Sequence, residues 1–267
     1  MSERVKIEFR DGVADVRLTR ADKMNAIDSA MFSALGDAGR ALADDKSVRA
    51  VVLSGEGRAF CAGLDMESFA AMAGPRAGGG ADPKLFERSA SGANRAQLAA
   101  WIWQELPVPV IAAVHGVAYG GGLQIALGAD LRIVSPDARL SVMEVKWGLI
   151  PDMSGTQTLR RLVRQDVAKE LTFTGRVVSG TEAVALGLAT RTSERPLEDA
   201  LALAREIATK SPDAVRAAKR LLQETWQGSI ADGLKLEEEL QRSLIGKPNQ
   251  IEAVKANLEK RAPKFAD

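Results

Sequence analysis

The chain has 267 residues, of which 46% are hydrophobic and 27% are charged, a balance typical of a globular protein with a substantial core. Lysine and arginine total 36 against 35 acidic residues, so the overall charge gives no indication of binding to nucleic acid or to an anionic membrane. One cysteine and one histidine exclude an intrachain disulfide and a metal centre built from several such residues. The first residues lack an apolar signal core, and no apolar run has the length of a membrane span, so we expect a cytoplasmic protein.

The first part of the chain predicts strands alternating with helices. Apolar and polar residues alternate on both sides of Asp11-Gly12, which is typical of a hairpin. Asp28 precedes an amphipathic stretch and is a candidate helix N-cap. The predicted elements are a hairpin over 5–20, a helix over 28–44, a strand over 48–54, a helix over about 83–106 and a strand over 108–114.

The remainder predicts shorter alternating elements and then a helical region. We expect a helix after the glycine run at 120–122, strands over 131–135 and 140–142, a helix over 154–163, and helices over 197–209, 212–224 and 231–244. Arg160, Arg161 and Arg164 are interpreted as a solvated helix face, with a local basic patch as the alternative. The sequence therefore predicts an α/β fold, with a core over 1–195 and a C-terminal helical region over 196–267.

Three consecutive glycines, Gly120 to Gly122, lie between an apolar strand and an amphipathic helix. Backbone without side chains allows a ligand to come close, and the first turn of a helix has N–H groups without intrahelical partners. Such a junction can hold an oxygen that acquires negative charge. Close packing of the helix on the sheet is the alternative explanation for these glycines.

A second glycine turn, within 60–66, follows another strand and could supply a second backbone N–H to the same oxygen. The glycine-rich segment Gly74 to Gly80 is interpreted as a lid or binding loop, with simple disorder as the alternative. Cys61 and His115 could formally form a nucleophilic pair, but their apolar surroundings favour inert packing.

These two glycine turns, together with several shorter motifs, resemble the crotonase (enoyl-CoA hydratase/isomerase) family. The matching motifs are Asn25-Ala26, 109–116, Gly155-Thr156-Gln157, 171–175, 183–188, 259–261 and Phe265. The resemblance implies a spiral of strand-strand-helix units and a helical C-terminal region that builds homotrimers, often paired into hexamers. It also implies an acyl-CoA thioester as substrate, without a separate cofactor.

The resemblance assigns an oxyanion hole to the backbone N–H groups of Leu64 and Gly121. Fixed backbone dipoles at these positions stabilise the charge that develops on a thioester oxygen when an enolate forms. In the family the same loop borders coenzyme A, so Ala62, Leu64, Asp65, Met66 and Gly121 are the expected CoA contacts.

The candidate acid/base residues follow from the family spacing. Hydratases carry two glutamates, and the matching positions here are Gln124 and Glu144. An amide cannot act as a general base near neutral pH, so Gln124 is expected only to orient a water or polar group, or to bind nearby backbone. Asp152 lies eight positions after Glu144, a spacing that resembles dienoyl-CoA isomerases, which usually have an aspartate where Gln124 stands.

We therefore predict an enzyme that shifts the double bonds of a (di)enoyl-CoA, with Glu144 and Asp152 transferring the protons. Apolar walls are expected to raise at least one of the two pKa values. A Δ3,Δ2-enoyl-CoA isomerase or a hydratase using Glu144 is the alternative, and a non-catalytic acyl-CoA-binding protein is an alternative of another class. Asp152 could instead cap the following helix, and Trp147 could either line an acyl pocket or only pack.

Overall fold

The computed structural model describes residues 3–72, 88–89 and 91–267. Its strands are β1 (Val5–Arg10), β2 (Val13–Leu18), β3 (Ala50–Gly55), β4 (Val110–Val114), β5 (Val117–Tyr119), β6 (Leu131–Val134), β7 (Arg139–Ser141), β8 (Val178–Ser179) and β9 (Arg191–Thr192). Its helices are α1 (Ser29–Asp44), α2 (Met66–Met72), α3 (Arg95–Glu105), α4 (Gly121–Leu127), α5 (Gly155–Leu162), α6 (Gln165–Thr174), α7 (Gly180–Leu186), α8 (Pro196–Ala208), α9 (Pro212–Thr225), α10 (Ile230–Leu244) and α11 (Pro248–Leu258).

The larger sheet has the strand order β1-β2-β3-β4-β6-β9. Its first two strands are antiparallel and form the predicted hairpin, and the later neighbours are parallel. Asp11 and Gly12 have φ of 51° and 78°, the left-handed backbone that a two-residue hairpin turn requires. The predicted hairpin is confirmed.

Helices cover both faces of this sheet. Asp28 caps α1 as predicted, because its carboxylate accepts a hydrogen bond from the Met31 N–H at 2.8 Å. On the opposite face, the small side chains Ala200, Ala204 and Ala208 of α8 pack with buried strand residues such as Val52. The boundary after residue 195 stays a prediction, and the first helix beyond it takes part in covering the sheet.

A smaller sheet, β5-β7-β8, lies at the glycine junction. The sequence predicted that the strand over 108–114 leads directly to the glycines, whereas the structure places the separate strand β5 between them. Three residues are too few to show a strand period, and their pairing with β7 is parallel and therefore non-local.

The predicted helix over 83–106 is wrong in the described part of its first half. Arg88 and Asn94 form an isolated antiparallel bridge, and α3 begins only at Arg95. A reciprocal capping box between Asn94 and Gln97 fixes this start, since it satisfies N–H groups that would otherwise lack partners. Residues 83–87 and the segment from Gly74 to Gly80 lie outside the described residues.

The C-terminal helices α8, α9 and α10 confirm the predicted helical region, and α11 adds a helix that the sequence did not delimit. Within the described ranges, no helix combines the length and the apolar character needed to cross a bilayer.

Candidate active site

The two glycine turns run side by side in the structure. Cys61 donates its N–H to the Val117 carbonyl at 3.0 Å, and Tyr119 donates its N–H to the Cys61 carbonyl at 3.1 Å. Cys61 thus pairs with Ala118 in a parallel bridge. Because the two segments run parallel, the residues three positions after this pair, Leu64 and Gly121, also lie in neighbouring turns.

The close approach of these turns depends on glycine. Gly63 has φ of +88°, and a Cβ added there would lie 2.6 Å from the Tyr119 carbonyl oxygen and 3.8 Å from the Gly121 nitrogen. A Cβ on Gly122 would lie 2.3 Å from the Cys61 carbonyl oxygen. Both distances to oxygen are too short for a side chain, so any larger residue would push the turns apart.

The backbone N–H groups of Leu64 and Gly121 are both available to a ligand. Ile27 binds the residues on either side of Leu64, because its N–H donates to the Gly63 carbonyl at 2.8 Å and its carbonyl accepts from Asp65 at 3.0 Å. The Leu64 N–H therefore points away from Ile27. Gly121 is the first residue of α4, where N–H groups lack intrahelical partners. Neither N–H has a hydrogen-bond partner in the described part of the chain.

Glu144 places a buried carboxyl group next to this pair of amides. It opens a 3-10 turn over Glu144–Trp147, and only 8% of the residue is exposed. A Cβ on Gly120 would lie 3.4 Å from its Oε1, so the carboxyl group borders the glycine junction. Oε1 accepts a hydrogen bond from Gln124 at 2.5 Å, whereas the buried Oε2 has no partner among residues 3–72, 88–89 and 91–267.

Gln124 fixes the orientation of that carboxyl group. Its side-chain oxygen accepts hydrogen bonds from the N–H groups of Met153 and Gly155, both at 2.8 Å. With the oxygen so engaged, the amide NH₂ must face Glu144. Gln124 therefore binds backbone distant in sequence and connects Glu144 to the start of α5.

Asp152 lies beside this group but does not cap α5. The residue before the helix is Ser154, and no side chain makes a capping hydrogen bond there. Although part of Asp152 is exposed, desolvation by the surrounding protein raises its pKa. Burial raises the pKa of Glu144, and the nearby charge of Asp152 raises it further. Both candidate carboxyl groups therefore hold protons more tightly than in water.

Trp147 packs at the outer side of the Glu144 turn. Its ring stacks on Phe69 of α2, with centroids 4.4 Å apart and planes 22° apart, and 41% of the residue is exposed. The Lys146 Nζ lies 5.5 Å from the ring centroid. The packing interpretation of Trp147 is thus observed, and the exposed part of the ring remains available to a substrate.

The expected CoA-binding loop includes one residue whose side chain is already engaged. Asp65 caps α2, because its Oδ1 accepts the Glu67 N–H at 2.8 Å, and its Oδ2 forms an ion pair with Arg20. The Glu67 hydrogen bond and Arg20 lower the pKa of Asp65. Met66 is 63% exposed, and Ala62 and Leu64 are partly exposed, so these three positions can contact a ligand directly.

Cys61 and His115 are occupied elsewhere. Burial raises the pKa of the Cys61 thiol to about 12, and its Sγ donates to the Asn25 carbonyl at 3.1 Å. The Nε2 of His115 lies 2.9 Å from the Gly57 carbonyl oxygen, to which it donates. These contacts support the interpretation of both residues as packing residues.

Two further features of the site had no clear signal in the sequence. Arg20, which holds Asp65, is one of many arginines, and its partner is 45 residues away. Ser154 adopts φ of +66°, a left-handed conformation that favours glycine. Only its position between two motif residues, Asp152 and Gly155, could have drawn attention to it.

Comparison with known proteins agrees with this geometry. The family model of enoyl-CoA hydratase/isomerase matches residues 8–267. The chain belongs to this family. It is 34% identical over 265 residues to the mitochondrial methylglutaconyl-CoA hydratase of Mus musculus, covering 97% of this chain and 81% of the relative. It is 35% identical to a probable enoyl-CoA hydratase of Bacillus subtilis (strain 168), with 90% of each chain covered.

Comparison with solved structures finds the same family. The solved structure of a putative enoyl-CoA hydratase from Streptomyces coelicolor A3(2) superimposes with a TM-score of 0.89 at 32% identity, covering all of this chain and 95% of that one. The predicted crotonase-like α/β fold is therefore confirmed.

Proposed function

We propose that this protein hydrates the double bond of a 2-enoyl-CoA thioester, with the N–H groups of Leu64 and Gly121 as the oxyanion hole and Glu144 as the proton carrier. The observation that carries this proposal is the Glu144 Oε2 atom. It is buried and has no partner in the described residues, and it belongs to a carboxyl group that borders the two free amides.

The reaction balances with one carboxyl group. The oxygen of a water adds to C3 while Glu144 takes one of its protons, and the electrons of the double bond move toward the thioester oxygen. The Leu64 and Gly121 N–H groups stabilise that enolate oxygen. As the enolate collapses, Glu144 returns the proton to C2. Its raised pKa suits this exchange, since a group that gives and takes a proton near neutral pH works best with a pKa near that range.

Gln124 supports this chemistry as a positioning residue. Its amide holds Oε1 of Glu144 and leaves Oε2 as the atom that exchanges protons. The names of the mouse and Bacillus subtilis relatives favour hydration over the double-bond shift that the sequence predicted.

Double-bond migration in a dienoyl-CoA is the second candidate, and Asp152 favours it. This reaction removes a proton near the thioester and returns one several carbons away, which suits two separate carboxyl groups. Asp152 is close enough for its charge to raise the pKa of Glu144, and its own pKa is raised as well.

Two substrates separate these candidates. We expect the purified protein to hydrate crotonyl-CoA, seen as loss of the enoyl-thioester absorbance. We expect Glu144→Gln to lower kcat/KM by roughly 10²- to 10⁴-fold, the usual contribution of a general acid/base. Asp152→Asn should leave hydration within a few-fold of wild type and abolish any isomerisation of a 3,5-dienoyl-CoA.

Other outcomes assign the site differently. Fast isomerisation of the 3,5-dienoyl-CoA without hydration of crotonyl-CoA would replace the first candidate by the second. Binding of acyl-CoA without turnover of either substrate would mean a non-catalytic acyl-CoA-binding protein.

A homotrimer or hexamer is part of the same proposal. Large apolar side chains on the C-terminal helices are exposed in the single chain, which supports burial against another copy. They include Trp226, Ile230, Leu234 and Leu258.

A further inference from the structure

A cavity of about 480 Å³ opens beside Asp152, between the segment leading into α3 and the helix α5. Asp152 lines this cavity, and its charge also acts on Glu144. The cavity therefore shares Asp152 with the surroundings of the proposed acid/base group. It gives the acyl carbons beyond C3 a place to extend away from the reacting double bond.

The lining of the cavity carries positive charge that forms no ion pair within the described residues. Arg160 and Arg161 of α5 line it, and Asp152 is the one carboxylate among its described lining residues. Neither arginine forms an ion pair within the described ranges, including with Asp152. By contrast, Arg164 lies outside the cavity and pairs with Asp166 at 2.6 Å.

Arg161 also departs from the solvated helix face that the sequence predicted. Its guanidinium lies 5.8 Å from the centroid of the Trp101 ring, and its Nε is buried without a hydrogen-bond partner in the described chain. Desolvation and the neighbouring charge of Arg160 lower the pKa of Arg161. A buried donor without an acceptor is unfavourable, so the described part of the protein does not satisfy this guanidinium by itself.

Ser154 adds a second unpaired group to the same cavity. The residue lines it, is 9% exposed, and has a buried hydroxyl with no partner among the described residues. Its φ of +66° would suit glycine better. Strained backbone that carries an unpaired hydroxyl points to a role in binding rather than in folding.

We infer that this cavity binds the far end of an acyl chain that terminates in a carboxylate, so that the preferred substrates are carboxyl-terminated enoyl-CoA thioesters. Arg160 and Arg161 supply the countercharge, and Ser154 supplies a hydroxyl donor. An uncharged chain leaves these groups unpaired, which is how a polar pocket discriminates against an apolar analogue. The inference rests on the proposed function, because it takes Glu144 as the start of the acyl path.

Binding of unreactive thioesters tests this inference without turnover. Hexanedioyl-CoA and hexanoyl-CoA match in chain length and differ in the terminal carboxylate. By isothermal titration calorimetry we expect the wild-type protein to bind hexanedioyl-CoA roughly tenfold or more tightly, the effect of a charge-assisted hydrogen bond. Equal affinities would overturn the inference. Failure of the proposed function would appear separately, as no turnover of either crotonyl-CoA or the carboxyl-terminated 2-hexenedioyl-CoA.

Arginine variants test whether the preference for hexanedioyl-CoA over hexanoyl-CoA arises in this cavity. Arg160→Met and Arg161→Met should each lower the affinity for hexanedioyl-CoA by about tenfold and leave hexanoyl-CoA within about twofold. Arg164→Met removes the same charge outside the cavity and should change neither affinity. An equal loss in Arg164→Met would mean general electrostatic attraction and would contradict the inference.

Ser154→Gly keeps the test valid if an arginine variant does not fold. Glycine suits the φ of +66° and removes only the hydroxymethyl group. We expect this variant to fold and to show a smaller preference for hexanedioyl-CoA. If Ser154→Gly and both arginine variants all kept the wild-type preference for hexanedioyl-CoA over hexanoyl-CoA, the cavity would be excluded as the carboxylate site.

Discussion

Gln124 determines which oxygen of Glu144 is hydrogen-bonded and which has no partner among the described residues. The sequence predicted both residues, because their distance from the glycine run follows a family spacing. The role of Gln124 could not be predicted in the same way, since its backbone partners Met153 and Gly155 are 29 and 31 residues further on. Motif spacing finds the candidate acid/base residue, and tertiary contacts decide how its side chain is held.

The raised pKa of Glu144 makes a prediction about stability. Below its ordinary pKa of 4.5, Glu144 is protonated in both the folded and the unfolded chain. As pH rises through the raised folded pKa, the folded protein has to ionise a buried group and wild type loses stability relative to a neutral variant. We expect the free energy of unfolding of Glu144→Gln to match that of wild type near pH 4 and to exceed it at pH 8.

Urea unfolding at both pH values measures this difference. Glu194→Gln is the control, because Glu194 is exposed on the loop before α8. Its difference from wild type should not change with pH. If the difference in unfolding free energy between Glu144→Gln and wild type were also the same at pH 4 and pH 8, burial of Glu144 would not control its titration.

At the scale of elements, long periodic segments were predictable and short ones were not. The hairpin, α1 and the C-terminal helices carry several periods of pattern or a recognisable cap. The strand β5 has three residues and depends on partners outside its own segment. The start of α3 depends on the capping box at Asn94, which competes with apolar residues upstream that also fit a helix. The approach of the two glycine turns was predictable because both turns are family motifs.

The packing of the two turns predicts the effect of Gly63→Ala. The new Cβ would lie 2.6 Å from the Tyr119 carbonyl oxygen, a backbone atom that cannot move without displacing β5. The adjacent Leu64 N–H would shift with it. We expect kcat for crotonyl-CoA to fall roughly 10²- to 10³-fold, as when one oxyanion-hole donor is lost.

Gly246→Ala separates this effect from backbone strain. Gly246 has φ of +75°, and a Cβ there would meet nothing within 4 Å. We expect Gly246→Ala to lower the free energy of unfolding by about 1 to 3 kcal/mol without changing kcat. If both variants kept full kcat, the turn containing Leu64 would not hold the thioester oxygen.

At the scale of the whole molecule, a buried lysine joins the C-terminal helices to the sheet. Lys219 of α9 is 7% exposed, and its Nζ lies 2.8 Å from the Asp130 Oδ2. It also donates to the carbonyls of Trp103 at 3.2 Å and Val108 at 2.9 Å, on either side of the turn between α3 and β4. The sequence did not indicate this contact, because lysines on an amphipathic helix usually face solvent.

We expect Lys219→Met to lower the free energy of unfolding by about 1 to 3 kcal/mol, because it leaves the partly buried Asp130 carboxylate without its cation and the Trp103 and Val108 carbonyls without this donor. Lys235→Met, at an exposed position on α10, should stay within about 0.5 kcal/mol of wild type in the same urea titration. Adding Asp130→Asn to Lys219→Met should recover part of the loss, since the uncompensated charge is then gone. If Lys219→Met were as neutral as Lys235→Met, apolar packing alone would hold α9 in place.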